Sequence, residues 1–330
     1  MRSLGIALFV IVSIFAAPAP QAAAQNLLVL NKTENTLAII DPVTLTVIAK
    51  IPTGEGPHEA IASADGKLAF VCNYGAQKPG NSLSVIDLVA RKELRRVDLG
   101  GFYRPHGIVE ADGKVYFTSE LSRTVVRYDP VANKIDWVMG TGQSVSHMLV
   151  IMPDKKRIYT ANIGSGTTTA INLGAPPNDA NITHIAVGKQ PEGIDISPDG
   201  KELWIGHNED GGISVIDTAT NKVKEVVKLA QMPIRVKFTP DGSKVLVSDP
   251  KAGEFIVIDA KTRKEIKRVK ADGTPVGILL QPDGKRAYVA RMAAGNVGVF
   301  DMEKMEFVAT INPGLGPDGM AWVTVSSASK

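Results

Sequence analysis

The stretch GKQPEGIDISPDGKELWIGHNEDGGISVIDTATNKVKEVVKL, residues 188–229, contains four short apolar runs separated by turn sequences. Asp199 and Gly200 stand between two of those runs, and Asp-Gly in that setting is a strong signal for a β-hairpin, because the turn needs a positive φ that glycine adopts at little cost. The apolar side chains alternate or run continuously over four to six residues, as in strands covered on both faces. The stretch therefore predicts one four-stranded antiparallel sheet.

The same pattern recurs along the chain with a spacing of 42 to 46 residues. Such a spacing is typical of the four-stranded blade of a β-propeller. The third strand of every repeat ends in an acid or its amide, and these residues are Asp41, Asp87, Asp129, Asn172, Asp217, Asp259 and Asp301. We interpret them as structural turn-makers whose side chains accept hydrogen bonds from nearby backbone N–H groups.

The seven repeats predict an all-β fold, a seven-bladed β-propeller of four-stranded antiparallel blades. The chain starts with a second strand at Leu27 and finishes with a first strand, around residues 320–323, that has no successor. Pairing of these N- and C-terminal strands would complete one shared blade and remove exposed sheet edges. The length of 330 residues favours two domains, but the repeat predicts one propeller domain over residues 25–330.

Residues 1–24 predict a signal peptide. Arg2 supplies a positive charge, the apolar run GIALFVIVSIFAA follows, and three alanines that end at Ala24 provide the small residues of a cleavage position. The apolar run is too short to span a membrane comfortably, and no later stretch reaches the ~18 apolar residues that a span requires. We therefore expect cleavage near Ala24 and a periplasmic or secreted protein with no membrane span.

The composition excludes several classes of protein. Hydrophobic residues make up 44% of the chain, which is incompatible with general disorder. The single cysteine, Cys72, excludes an internal disulfide and a Cys-based zinc site, and its apolar neighbours predict a buried side chain. The 37 Lys and Arg nearly balance the 34 Asp and Glu and are spread along the chain, so no nucleic-acid partner is predicted. We expect a monomer.

The residues at the start of the first strands indicate the functional site, because first strands surround the central channel. The residue after the initial proline, or its equivalent, reads in ring order His58, His106, His147, Glu192, Ile234, Val276 and Asp318. Since the seventh repeat neighbours the first, the five polar residues form one unbroken arc. Three of the five histidines in the chain stand in it.

Imidazole and carboxylate groups are the ligands that suit zinc, copper, iron or manganese. We therefore predict a site for one such transition metal ion at His58, His106, His147, Glu192 and Asp318, with an open coordination position for water or substrate. Two alternatives stay open. The arc could form a metal-free ligand or catalytic site, or its histidines could only satisfy polar backbone groups at a wet channel mouth.

A second ring of residues lies at the ends of the second strands. In order it reads Asn31, Asn73, Glu120, Asn162, His207, Asp249 and Arg291. Asparagine is the common residue of this ring and is consistent with a turn role. Because departures from a repeat consensus are places where function can be expressed, Glu120, His207 and Asp249 are rim candidates together with Arg104, although a charged rim is also typical of a solvated surface.

The repeat at residues 188–229 resembles the YVTN-type propeller repeats of exported bacterial and archaeal proteins. The resemblance covers the predicted mature chain, most clearly from Gly188 to Ala309. It implies a seven-bladed propeller and an extracytoplasmic setting. It implies no particular reaction, because propellers carry many unrelated functions.

Three functions are compatible with these residues. The first is an exported binding protein whose channel mouth holds a metal ion, a small molecule or a partner protein. The second is an enzyme, since seven-bladed lactonases and streptogramin lyases resemble this architecture; the catalytic candidates are then His106 or Glu192 as a base and Arg235, Arg291 or a metal as the oxyanion stabiliser. The third is a periplasmic redox accessory protein, because similar repeats resemble the propellers of amine dehydrogenases and heme-carrying nitrite reductases.

Overall fold

The computed structural model describes residues 24–174 and 181–325. Seven four-stranded antiparallel sheets form the blades of a β-propeller, as predicted. The first strand of each blade lies against the first strand of the next blade, and the seventh contact closes the ring around the channel. The prediction of a signal peptide falls almost entirely outside the described residues and stays a prediction.

The strands follow one order in every blade, from the channel outward. Blade 1 begins with β1 (Ala24–Asn31), β2 (Thr36–Ile40) and β3 (Val47–Pro52). Blades 2 to 4 contain β4 (Pro57–Ala62), β5 (Leu68–Gly75), β6 (Pro79–Asp87), β7 (Lys92–Asp98), β8 (Pro105–Ala111), β9 (Lys114–Ser119), β10 (Thr124–Asp129), β11 (Lys134–Gly140), β12 (Ser146–Ile151), β13 (Arg157–Asn162), β14 (Thr167–Asn172) and β15 (Ile182–Ala186).

Blades 5 to 7 repeat the same arrangement. They contain β16 (Pro191–Ile196), β17 (Glu202–His207), β18 (Gly212–Asp217), β19 (Lys222–Lys228), β20 (Arg235–Phe238), β21 (Lys244–Asp249), β22 (Glu254–Asp259), β23 (Glu265–Lys270), β24 (Pro275–Leu280), β25 (Arg286–Arg291), β26 (Asn296–Asp301) and β27 (Glu306–Ile311). A short 3-10 helix, Met292–Ala294, follows β25. The last strand is β28 (Pro317–Val325), which completes blade 1.

The two ends of the described chain pair as the repeat count predicts. Strand β28 runs antiparallel to β1, with Leu27 opposite Trp322 and Val29 opposite Met320. This closure leaves no first strand without a neighbour. Within the described residues, no helix is long and apolar enough to cross a lipid bilayer.

The hydrophobic core lies between neighbouring blades. Trp204 of blade 5, for example, is fully buried among Val236 and Ile256 of blade 6. Cys72 is buried in the same way between blades 2 and 3, as expected of a small hydrophobe. Alternate side chains of each strand therefore pack against the blade on either side.

The acids at the ends of the third strands cap turns, as predicted. Asp87 Oδ1, for example, accepts hydrogen bonds from the backbone N–H groups of Val89 and Ala90 at 2.9 and 2.8 Å. The same arrangement is present at Asp41, Asp129, Asp217, Asp259 and Asp301. Asn172 differs, because its Oδ1 accepts a bond from Arg157 Nε at 3.1 Å.

Packing between neighbouring first strands requires the glycine in their Pro-x-Gly start. A Cβ atom on Gly319 would lie 2.1 Å from the carbonyl oxygen of His58, and a Cβ on Gly277 would lie 2.1 Å from that of Asp318. Neighbouring first strands thus approach each other more closely than a side chain permits. This close approach defines the channel mouth, the end of the channel at which the first strands begin.

Candidate functional site at the channel mouth

The structure brings the predicted polar arc together at the channel mouth. The rings of His106 and His147 are stacked with centroids 3.6 Å apart, and His58 lies 5.0 Å from His106. Glu192 Oε1 is 3.5 Å from His147 Nε2 at one end of the arc. Asp318 is at the other end, 3.7 Å from the ammonium of Lys32.

Glu120, predicted as a rim residue, belongs to the centre of this cluster. Its Oε1 forms an ion pair with His147 Nδ1, and its Oε2 accepts a 2.7 Å hydrogen bond from the Tyr74 hydroxyl. The Tyr74 ring lies 4.3 Å from His58. Arg104 reaches the cluster only through Tyr74, because its guanidinium lies over that ring at 4.4 Å.

The three imidazoles carry different charges although they are neighbours. Burial lowers the pKa of His58 to about 4, and burial together with the charge on His147 holds the pKa of His106 well below its usual value. Burial also disfavours the charged form of His147, but hydrogen bonds to Glu120 and Glu192 outweigh it and raise the pKa to about 9. At neutral pH, His147 is therefore an imidazolium and His58 and His106 are neutral.

Glu192 is held as a carboxylate. Burial alone would raise its pKa, but hydrogen bonds and charges from His147, Arg235 and Asn208 lower the pKa to about 2. Asn208 donates its side-chain amide to Glu192 Oε2, and Arg235 Nη1 lies 3.3 Å from Oε1. A carboxylate with so low a pKa is a weak general base near neutral pH.

An ion pair crosses the channel next to the histidines. Arg235 Nη2 in blade 6 lies 2.7 Å from Glu59 Oε1 in blade 2, and the same nitrogen is 3.9 Å from Asp318 in blade 1. Burial opposes the charge on Arg235, but Glu59, Asp318 and Glu192 outweigh it and raise the Arg235 pKa. Burial also disfavours the charged form of Glu59, and it therefore raises the pKa of that carboxyl.

Glu59 is a site residue that the sequence reasoning missed, although a signal was present. The position of the glycine in the Pro-x-Gly start reads Glu59, Gly107, Met148, Gly193, Arg235, Gly277 and Gly319 in ring order. Four of these are the glycines that permit close strand approach. Glu59 and Arg235 are the two charged exceptions, and they pair with each other across the channel.

Two rim candidates, His207 and Asp249, lie away from this cluster. His207 Nε2 accepts a 3.2 Å bond from Gly188 N, in the place where Asn73 Oδ1 accepts one from Gly54 N in blade 2. Asp249 Oδ2 accepts a 2.6 Å bond from Gln231 N in the same way. These residues therefore perform the local structural task of the asparagines.

Arg291, predicted as a catalytic residue, points along its own blade. Its Nε donates to Asn296 Oδ1 at 2.7 Å and its Nη2 to Thr310 Oγ1 at 2.9 Å, next to the outermost strand β27. The structure thus does not bring Arg291 to His106 or Glu192.

The predicted set of five metal ligands does not converge on one point. Ligand atoms of His106, Glu120 and His147 lie within 4.8 Å of one another. His58 Nδ1 instead lies 2.8 Å from the carbonyl oxygen of Gly56, and Glu192 and Asp318 are engaged by cations. The five predicted ligands therefore do not form one coordination group, and the side chains whose ligand atoms converge include Glu120 in place of His58, Glu192 and Asp318. Within the described chain, His106 Nδ1 is buried with no hydrogen-bond partner.

Comparison with known proteins supports the propeller fold. The family described as Cytochrome D1 heme domain matches residues 180–281, just under a third of the chain. No curated protein sequence is a significant match.

Similar solved structures cover nearly the whole chain at low identity. Kuenenia stuttgartiensis hydrazine synthase has 17% identity and a TM-score of 0.73 over 88% of this chain and 99% of that one. A protein of unknown function from Desulfotomaculum acetoxidans has 15% identity and a TM-score of 0.77 over 91% and 99%. A Bacteroides fragilis protein assigned provisionally as a 6-phosphogluconolactonase has 15% identity and a TM-score of 0.75 over 93% and 100%. At these identities the likeness shows the fold alone.

The residues present do not fit a heme at this site. The matched segment, residues 180–281, does not contain His58, His106 or His147. Of its histidines, His207 has both ring nitrogens engaged, by Asp210 and Gly188, and His184 Nδ1 contacts Thr169. At the channel mouth the ring of His106 is only 1% exposed and is enclosed by the rings of His58, Tyr74 and His147, which leaves no room for a macrocycle beside it.

Proposed function

We propose that this protein is an exported binding protein that holds one divalent transition metal ion at the channel mouth, with His106, Glu120 and His147 as ligands. The observation that carries the proposal is the convergence of these three side chains within 4.8 Å. The buried, unpartnered Nδ1 of His106 supports it. A buried polar atom without a partner is costly, and a metal ion would satisfy it.

The donor set indicates the class of metal. Two imidazoles and one carboxylate suit Zn²⁺, Cu²⁺, Fe²⁺ or Mn²⁺, and the absence of cysteine at the site disfavours softer ions. At equal access, the affinity of such a site rises from Mn²⁺ to Cu²⁺. Three protein ligands leave one coordination position open, where a small molecule or a group of a partner protein could bind.

The residues around the three ligands would orient them. Tyr74 holds Glu120 through its hydroxyl, and Glu192 faces His147 Nε2. Hydrogen-bonded partners of this kind fix the orientation of metal ligands and raise their affinity. Binding of the ion would replace the proton between His147 Nδ1 and Glu120, because a histidine ligand must be neutral.

A hydrolase or lyase is the second candidate, and the open coordination position favours it. The fold is shared with the Bacteroides fragilis protein that is assigned provisionally as a lactonase. Glu192 and Arg235 would then position His147, since each is tied into ion pairs. A redox role would use the same metal and no heme.

The proposal is tested by elemental analysis of untagged protein after incubation with Zn²⁺, Cu²⁺, Fe²⁺ or Mn²⁺ and desalting. We expect one ion per chain in the wild type and in His184→Ala, an exposed control histidine. His106→Ala should lose the ion while keeping the circular dichroism spectrum of the wild type.

Metal-free wild-type protein, or His106→Ala that retains a stoichiometric ion, would overturn the proposed site. A panel of lactones and esters then separates the two candidates. Turnover that is lost in His106→Ala favours an enzyme, whereas stoichiometric metal without turnover favours a binding protein.

A further inference from the structure

A cavity lies in the channel beyond the Glu59–Arg235 ion pair. Its volume is about 430 Å³, and all seven first strands contribute to its wall. The lining residues follow the histidines along their strands, so the cavity extends from the ion pair toward the end of the channel at which the first strands finish. None of His58, His106 and His147 lines it.

The wall of this channel cavity is mainly apolar. A cavity of ~300 to 1,000 Å³ with apolar walls and a few polar groups is typical of a small-molecule site. The apolar lining includes Ile61, Ile108, Leu149, Ile196, Ile278 and Trp322. Such a wall selects a ligand with a hydrocarbon body.

Four charged side chains face the cavity, and they are unequally satisfied. Arg235 is shared by three carboxylates, with Glu59 the nearest at 2.7 Å. Asp195 accepts a 2.8 Å bond from Phe238 N. Lys237 has only an ion pair with Asp195 at 3.5 Å and donates no hydrogen bond to the described residues.

The hydrogen-bonding group of the cavity wall that is least satisfied is therefore a donor, the ammonium of Lys237. An ammonium group has three N–H donors and no acceptor. Trp322 also contributes to the wall, but its Nε1 is enclosed by protein atoms and is not open to the cavity. A ligand that brings an anionic acceptor would accept hydrogen bonds from the Lys237 ammonium.

We propose that the channel cavity binds a small monocarboxylate with an aliphatic or aromatic body, its carboxylate on Lys237 and its body against the apolar wall. None of His106, Glu120 and His147 lines this cavity. The inference thus stands independently of the metal site.

Isothermal titration calorimetry with three eight-carbon probes tests the inference. Octanoate, octanol and octylamine share one body and differ in the head group. We expect octanoate to bind with the highest affinity. Its binding should quench the fluorescence of Trp322, and this quenching should be absent in Trp322→Phe.

Two variants test the assignment of Lys237. Lys237→Met should weaken octanoate binding about tenfold, the factor that a hydrogen bond to a charged group is worth, and leave octanol binding unchanged. Asp195→Asn should strengthen octanoate binding, because it releases Lys237 from its ion pair. Lys189→Met serves as a matched control, since Lys189 is exposed and does not line the cavity.

Octanol or octylamine binding as tightly as octanoate would overturn the inference, as would the absence of binding by all three probes at millimolar concentration. His106→Ala should bind octanoate like the wild type. Failure of the metal proposal therefore leaves this result unaffected, and the two failures are distinguishable.

Discussion

Two rings of residues at the channel mouth contain departures from the repeat. In one ring the departures create new contacts between blades, and in the other they keep the contacts of the repeat. In the inner ring, at the starts of the first strands, Glu59 and Arg235 replace glycines and meet across the channel. In the outer ring, at the ends of the second strands, His207 and Asp249 replace asparagines and form the same kind of bond to a backbone N–H group.

The comparison shows that position in the blade decides what a departure means. A residue that faces the axis can contact residues from any blade, so a change there creates contacts that the repeat lacks. A residue between two strands of one blade keeps the partners that every blade supplies. Glu120 is the exception in the outer ring, because its side chain turns to His147 and Tyr74.

The largest difference between the rings should be in stability. Arg235→Met leaves Glu59 buried without its cation, and removal of one partner from a buried ion pair typically costs ~3–5 kcal/mol. Arg291→Met in the outer ring should cost about 1 kcal/mol or less. Urea denaturation followed by circular dichroism measures both free energies of unfolding.

Equal losses of unfolding free energy in Arg235→Met and Arg291→Met would contradict the distinction between the two rings. If Arg235→Met does not fold, the double variant Arg235→Met/Glu59→Met provides the test. It should recover part of the lost stability, since the unpaired carboxylate is gone.

Two histidines at the starts of the first strands, His147 and His58, should have pKa values shifted in opposite directions. The pKa of His147 is raised from 6.5 to about 9, so its stabilising contribution is complete below pH 6.5 and is lost as the pH rises through 9. The pKa of His58 is lowered from 6.5 to about 4, so its contribution is complete above pH 6.5 and is lost as the pH falls toward 4. Long-range ¹H–¹⁵N spectra of the imidazoles measure both midpoints in metal-free protein. Two midpoints near 6.5 would contradict the assigned charges.

Removal of the Tyr74 hydroxyl should have a moderate effect on the proposed metal site. Tyr74→Phe keeps the ring beside His58 but deletes the hydrogen bond to Glu120. Loss of a bond that orients a ligand typically weakens metal affinity ~10- to 100-fold. Competition with a chromophoric zinc chelator measures the change, and Tyr103→Phe, at an exposed tyrosine, is the control.

The smallest effect is expected for His207→Asn. Asparagine performs the same task in blade 2, so the free energy of unfolding should change by less than about 1 kcal/mol. His207→Ala leaves Gly188 N–H without an acceptor and should cost ~1–3 kcal/mol. A large loss in His207→Asn would mean that His207 has a role beyond its blade.

The fold could be predicted from the sequence because its determinants are local. Asp-Gly turns and apolar alternation act within a few residues, and seven copies in phase leave one arrangement. Even the pairing of β28 with β1 follows from counting the strands.

The site was predictable only in part, because the register of a strand places a residue but not its side-chain atoms. The register correctly placed His106 and His147 side by side. It could not show that Glu120 reaches them from a neighbouring loop, or that His58 turns to the carbonyl of Gly56. Those contacts depend on rotamers chosen by the surrounding packing.

The closing strand β28 has a consequence for the order of events in folding. It brings Asp318 from the end of the chain to Arg235 and to Lys32, which lies directly after β1. The cross-channel network thus needs residues from the first, second, fifth and sixth blades at once. A nascent chain that lacks its last described strand cannot assemble it. The intact network therefore forms only when β28 has joined blade 1, which a folding experiment on successive C-terminal truncations would register as a single late step.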